Sequence, residues 1–459
     1  MPQPRNLLVI FPDQLRRDAL SCYGDENVRT PHIDALAERG VRFNHANATF
    51  PVCVPFRFSL MTGEHAHTRM VPAIEWRMSP AERTLADDFN DAGYETLYVG
   101  KWHLYGDHNH MPGFGPKRDN RRPVPRTHQG RWKHWRGCEI RNDPWDTCYF
   151  VDDDPTPIPL EGYQTDGLFD VAMDEMSRLH GEGKPFACVL SVEPPHLPDT
   201  APETYETRWR DRDITLPPNF APRNEEHRQQ LLTHRRLYYA MIENLDDNVG
   251  RMQRFLEKRG LADDTIVVFL SDHGEMGGSH GLRQKSLPYE ESAGVPLIIA
   301  DPSRPELHGT TRDEVLCTED MLPTLLGLMG TRVGRALPGL DASPLARDAD
   351  ATLDREGVLL EFISELRANY GATLHESVWR AFRNPDHLYA VRGDLHGATP
   401  WLLYDLHEDP YELNNLVEQR EHRDTAARLH RQLCDALLRY GDDFPIQPAF
   451  NHPGQHLYA

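Results

Sequence analysis

Residues 7–13 read Leu-Leu-Val-Ile-Phe-Pro-Asp, an apolar run with β-branched Val9 and Ile10 that ends on an acid, Asp13. A short apolar run without polar alternation is what a strand buried on both faces of a sheet requires. Comparable runs return at Glu95–Gly100, Phe186–Val192, Thr265–Leu270 and Val295–Ala300. Helical patterns lie between them, at Pro31–Arg39, Thr84–Ala92, Thr165–Leu179 and Glu226–Arg259. This alternation predicts an α/β fold, a large αβα sandwich around a mostly parallel central sheet. After about residue 345 the rhythm changes. Gly357–Phe362, Val378–Arg383, His387–Arg392 and Trp401–Leu406 read as consecutive short strands, and Glu421–Tyr440 as a helix. The expectation is a main domain over residues 1–345 and, over 346–459, a smaller C-terminal α+β lobe with an antiparallel sheet.

The chain has 459 residues, 39% of them hydrophobic, which is ample for a large core. Its longest apolar runs near the N-terminus are strand-sized, well short of the ~20 residues a membrane-spanning helix needs. Residues 1–20 lack the basic start, apolar stretch and small-residue cleavage site of a secretory signal, so a cytoplasmic location is expected if Met1 is the natural start. The seven cysteines are odd in number and form no CxxC pair, so a disulfide framework is not expected. A formal charge of −21 argues against nucleic acid or an anionic membrane as partner. Any anionic substrate must then be drawn in by a local basic pocket.

Two strand ends carry metal-ligand chemistry. Asp13-Gln14 follows the first strand, and Asp272-His273 follows the strand at Thr265–Leu270. Open α/β sheets bind ligands outside the carboxyl ends of their strands, so these distant residues can converge. Carboxylates with one imidazole suit Ca²⁺, Mg²⁺ or Mn²⁺ better than a thiolate-seeking metal. Taken alone, either pair fits a capped turn equally well. Between them lies Cys53-Val54-Pro55-Phe56-Arg57, followed by Thr62-Gly63. Pro55 suits the first turn of a helix and Gly63 its end, which puts Cys53 at the helix N-terminus with Arg57 one turn on. The stretch Lys117–Arg136 holds eight basic residues against one acid, with Trp132 and Trp135 interleaved. It reads either as a solvated loop with half-buried tryptophans or as an insertion that meets a sugar or polyanion.

Cys53-x-Pro55-x-Arg57 with Thr62-Gly63 resembles the core sequence of the type I sulfatases, in the alkaline phosphatase superfamily. Asp13 with Thr30-Pro31-His32 through Ala37, Gly100-Lys101-Trp102-His103-Leu104, Pro194-Pro195-His196, Ser271-Asp272-His273-Gly274, Lys285 with Tyr289-Glu290, and Leu403-Tyr404-Asp405-Leu406 with Asp409-Pro410 and Glu412 resemble the family's other segments, in order along nearly the whole chain. The resemblance implies a sulfuric ester hydrolase in which a formylglycine-generating enzyme oxidises Cys53 to an aldehyde. Once hydrated, one hydroxyl attacks sulfur and the second, on deprotonation, expels sulfate. It implies that Asp13, Asp272, His273 and residue 53 hold a divalent cation, Ca²⁺ in first place with Mg²⁺ or Mn²⁺ as options. It further implies that Arg57 and Lys101 steady the diol, that His103 takes the elimination proton, and that His196 and Lys285 bind the sulfate.

Where many members carry a second aspartate this chain has Gln14, a candidate fifth ligand. Asp-Gln with Asp-His resembles a subset that includes choline sulfatases and phosphonate monoester hydrolases. The leading expectation is hydrolysis of a small sulfated carbohydrate or related sulfate ester. Phosphonate monoester or phosphodiester hydrolysis on the same scaffold is the alternative, and a non-catalytic protein binding sulfated glycans is the third. His65, His67, His108 and His110 are expected in surface or loop roles rather than as ligands.

Overall fold

The computed structural model describes residues 6–72, 74, 76–106, 121–363, 378–394 and 397–446. Its main sheet is built from β1 (Asn6–Pro12), β2 (Val41–Asn47), β3 (Glu95–Lys101), β4 (His134–Cys138), β5 (Cys148–Val151), β6 (Ile158–Pro159), β7 (Phe186–Val192), β8 (Thr265–Leu270), β9 (Leu297–Ala300) and β10 (Thr310–Cys317). The spatial order is β10-β2-β9-β8-β1-β7-β3-β4-β5-β6. The centre is parallel, β8 with β1, β1 with β7, and β7 with β3. β9 runs antiparallel to both of its neighbours, so the run expected as another buried strand is one, in reversed direction.

Period two along the strands sorts side chains into two cores. Leu7, Val9 and Phe11 join one core with Val54, Phe58 and Leu60 of the helix Cys53–Thr62 and Leu322, Leu325 and Leu326 of the helix Met321–Leu328. Leu8 and Ile10 join the other with Leu168 and Phe169 of the helix Gln164–Gly181 and Ile242, Leu245 and Val249 of the helix Glu225–Lys258. This is the expected αβα sandwich.

The second sheet is β11 (Val358–Phe362), β12 (Trp379–Arg383), β13 (His387–Asp394) and β14 (Gly397–Asp405), an antiparallel meander in chain order. One face, with Leu360, Trp379, Ala381 and Leu402, closes the first core of the main sheet. The other, with Leu359, Phe382, Tyr389 and Leu403, packs on Leu429, Leu433 and Leu437 of the helix Arg423–Tyr440. Among the described residues no helix is long and apolar enough to cross a membrane.

The tryptophans of the basic stretch differ from both readings of them. Trp132 and Trp135 are fully buried, and Trp135 stacks on Tyr98 with ring centroids 5.2 Å apart. His134–Cys138 is β4, a strand of the main sheet, so the tryptophan faces belong to the core and have none left for a sugar. Arg131 pairs with Asp87, Lys133 with Glu95, and Arg136 with Asp152 and Glu175, so these three cations face the protein's own acids in part-exposed pairs. Lys117 and Arg118 lie outside the described residues, as do His108 and His110. His65 and His67, expected in surface or loop roles, are buried, His65 in a loop and His67 in a short 3-10 turn.

Candidate active site

Several elements deliver polar side chains to one point beyond the carboxyl ends of the strands. Asp13 directly follows β1, Lys101 ends β3, and Asp272 and His273 follow β8. β1 and β8 are parallel neighbours in register, Ile10 beside Phe269, which is why Asp13 and Asp272 meet. Residue 53 arrives on the first turn of the helix Cys53–Thr62. The backbone is extended at Val52 and turns helical at Cys53, and Gly63 ends the helix at φ 73° with its amide on the Ser59 carbonyl. Gly100 has φ 99°, and a Cβ there would stand 1.9 Å from the Ser191 carbonyl oxygen. Glycine thus lets β3 close on β7 immediately before Lys101.

Cys53 Sγ lies 3.4 Å from Asp13 Oδ1 and 3.1 Å from His273 Nε2. His273 Nε2 is 3.6 Å from both Asp13 Oδ1 and Asp272 Oδ1. One ligand atom from each of the four residues lies within 4.8 Å of the others, and all four residues are buried. His273 Nδ1 is 3.0 Å from the Gly274 carbonyl, so it donates there and leaves the Nε2 lone pair facing the carboxylates. Asp272 Oδ2 accepts no hydrogen bond. Two buried carboxylates, an imidazole lone pair and an unsatisfied oxygen around one point fit a divalent cation.

Cations of the protein border the same point. Lys101 Nζ lies 2.8 Å from Asp13 Oδ2, with both side chains wholly buried. Arg57 donates to Asp13 Oδ2 at 3.1 Å, to the Lys101 carbonyl at 2.8 Å and to Ser191 Oγ at 2.9 Å, and its guanidinium lies over the Phe11 ring. Burial works against ionising Asp13, but Lys101 and then Arg57 outweigh it and hold the carboxyl well below the usual range. Asp272 goes the other way: burial, then the charge of Asp13, push it up to about 7. Burial and Asp13 push the Cys53 thiol up to about 12, so the unmodified side chain is protonated at neutral pH and a poor nucleophile. Burial, then Lys285, lower His196 to about 3 and hold His273 well below its ordinary range, which keeps both imidazoles neutral.

The remaining predicted residues lie around this centre. His103 follows β3, buried at φ 56°, with its amide on the Glu139 carbonyl. His196 sits after β7, its Nδ1 2.8 Å from the Leu197 carbonyl. Gln14 is buried beside Asp13, and its backbone N–H donates to Asp272 Oδ1 at 2.9 Å. Its side-chain oxygen accepts from Lys285 Nζ at 2.6 Å, and its side-chain nitrogen donates to Glu275. Three participants have no place in the motif reading. Ser191 anchors Arg57, Glu193 lies 4.0 Å from Lys101, and Glu275 holds Gln14. Glu275, two residues past His273, was the one within reach of a sequence argument. Ser191 and Glu193 carry no spacing signal.

A sequence profile of the sulfatase family matches residues 5–331, and the profile of the N-sulphoglucosamine sulphohydrolase C-terminal region matches residues 278–438. The chain belongs to the sulfatase family and is a sulfuric ester hydrolase. An ulvan-active sulfatase from Formosa agariphila is 32% identical over 96% of this chain and 83% of its own length. The crystal structure of the sulfatase yidJ from Bacteroides fragilis superposes with a TM-score of 0.86 at 27% identity, covering 97% of each chain. The phosphonate monoester hydrolase of Agrobacterium radiobacter shares the fold, with a TM-score of 0.75 at 24% identity over 95% of this chain and 96% of its own.

Proposed function

We propose that this sulfatase releases sulfate from a small sulfated carbohydrate or related ester, with residue 53, oxidised from cysteine to formylglycine, as its nucleophile. The observation that carries the reading is the seat of Cys53. Its side chain touches Asp13 and His273 at the under-satisfied cluster, and as a thiol it is held protonated. Hydrated formylglycine supplies one hydroxyl to attack sulfur and a second to expel sulfate afterwards, which serine or cysteine cannot do. Asp13, Asp272, His273 and the residue 53 oxygen, with Gln14 as a candidate fifth, are the residues that would hold a divalent cation, Ca²⁺ before Mg²⁺ or Mn²⁺ on the weight of oxygen donors. Such an ion contributes Lewis acidity and lowers the pKa of a hydroxyl beside it.

The protein's own groups do the rest. Lys101 and Arg57 hold Asp13 ionised and supply positive charge against the −21 background where sulfate charge develops. His196, kept neutral, and Lys285 bind the sulfate, with Lys285 toward the leaving oxygen. His103 takes the proton in the elimination step. The saccharide is supported by the ulvan-active relative. A formylglycine-generating enzyme is the implied transient partner.

Phosphonate monoester hydrolysis is the second reading, favoured by Asp13-Gln14 with Asp272-His273. The deciding experiment compares kcat/KM for an aryl sulfate and an aryl phosphonate monoester, on protein whose residue 53 is confirmed as aldehyde by peptide mass spectrometry. The expected result is a clear preference for sulfate. A preference for phosphonate would replace the substrate while leaving the fold and nucleophile standing.

A further inference from the structure

Gln14 is the residue at which this chain departs from the commoner aspartate, and its surroundings give the amide a single workable orientation. Lys285 Nζ, a donor, is 2.6 Å from its oxygen. On the other side its Nε2 meets Glu275 Oε2. Glu275 is completely buried, and its Oε1 accepts backbone N–H groups from Gln284 at 2.7 Å and Gly277 at 3.1 Å. His234 Nε2, from the helix Glu225–Lys258, lies 3.4 Å from that same oxygen. A carboxylate accepting several N–H donors is held ionised and can only accept. An ammonium can only donate. Turning the Gln14 amide over would set NH₂ against ammonium and carbonyl against carboxylate. An acid at position 14 would face Glu275 charge to charge.

We propose that Glu275 is a positioning residue for the sulfate-binding group: by fixing which end of the Gln14 amide faces inward, it holds the Lys285 ammonium in place. The inference rests on the reading of Lys285 as that group, but its geometry can be tested apart from turnover. In Glu275→Gln, the two backbone N–H groups keep the amide oxygen on their side, so the new NH₂ faces Gln14. Gln14 must then turn over, and its own NH₂ meets Lys285. Adding Gln14→Glu to that variant restores an acceptor for both neighbours.

The measurement is the acylation rate of Lys285 by acetic anhydride, read by peptide mass spectrometry on the full chain and normalised to exposed Lys258. The wild-type lysine is protected. E275Q reacts several-fold faster, the Q14E/E275Q double variant returns to wild-type protection, and Q14E alone does not. Gln14→Leu, which leaves Glu275 its backbone partners, gives the unprotected rate should E275Q fold poorly. With an aryl sulfate, E275Q lowers kcat by about tenfold or more, the loss of one charged hydrogen bond, and the double variant recovers part of it. Equal labelling in wild type, E275Q and Q14L, or a double variant no better than E275Q, would overturn the proposal. Wild-type protein that protects Lys285 yet turns over no sulfate ester would instead overturn the role given to Lys285 and leave the Glu275–Gln14 device standing.

Discussion

Two clusters of buried charge sit near the two ends of the stretch from residue 53 to residue 67, and they are built on opposite principles. At the strand ends Asp13 and Asp272 face each other, and Asp272 Oδ2 receives no hydrogen bond. At the seam with the small lobe, His67 Nδ1 is 2.7 Å from Glu361 Oε2, and its Nε2 is 3.1 Å from the Tyr440 carbonyl. Arg380 pairs there with Asp442. Both clusters contain histidine and carboxylate in metal-ligand proximity. At the seam, however, each ring nitrogen of His67 already has its partner, and His65 Nδ1, which makes no hydrogen bond, has the Glu319 carboxylate 3.4 Å away to balance it. Buried charge is costly unless paired, so a cluster that the chain completes by itself is structural, and one it leaves incomplete is a place for a ligand.

The largest effect should come from residue 53. Cys53→Ala should lower sulfate-ester turnover by at least about a thousandfold while leaving the melting temperature close to wild type, since the nucleophile is lost and the strand ends are not. Chelation is next. A cation at 100 times its dissociation constant adds about 2.7 kcal/mol of stability, so chelator should lower Tm in wild type but not in Asp272→Asn. In chelator, Asp272→Asn should melt higher than wild type, because it removes the repulsion of Asp13.

At the seam the sign reverses. Glu361→Gln should cost about 3–5 kcal/mol in denaturant unfolding, with no such relief, because it strands a charged His67. The seam also fixes a pH dependence. Burial opposes charging His67, but Glu361 outweighs it and raises the pKa to about 9 from an ordinary 6.5. Its contribution is therefore complete below pH 6.5 and lost as pH rises through about 9. Glu361 is lowered, against burial, by His67 and Arg380, so its contribution is present above its ordinary range and lost as pH falls. Wild type should lose stability across the alkaline window in pH-dependent unfolding, and His67→Gln should be flat there. The smallest effect belongs to the basic stretch: Arg131→Ala, removing a partly exposed pair, should cost about 1 kcal/mol or less and leave KM for a sulfated oligosaccharide unchanged.

Much of this was legible in the sequence, and the limits have physical causes. Leu7–Phe11 announced β1 because a strand buried on both faces reads as a near-continuous apolar run. Pro55 and Gly63 bounded the helix that carries residue 53, because φ constraints act locally. β2, with Arg42, Asn44 and His45 along it, and β10, with exposed residues over its first half, escaped because sheet neighbours rather than sequence pattern make them strands. The tryptophans of the basic stretch misled for the same reason: their burial depends on Tyr98 and Trp102 in another strand and loop. At the site, the motifs named Asp13, Cys53, Arg57, Lys101, Asp272 and His273, which lie together in the structure, but not the side chains packed around them, Ser191, Glu193 and Glu275. A support is defined by what it touches, and those contacts span long stretches of chain.

The difference between the two clusters is tested most directly by the metal content of purified wild type, Asp272→Ala and Glu361→Gln, measured by elemental analysis after dialysis against trace Ca²⁺ and Mg²⁺. The account predicts one divalent ion per chain in wild type and in Glu361→Gln, and none in Asp272→Ala. Full loading of Asp272→Ala, or loss of the ion from Glu361→Gln, would contradict it.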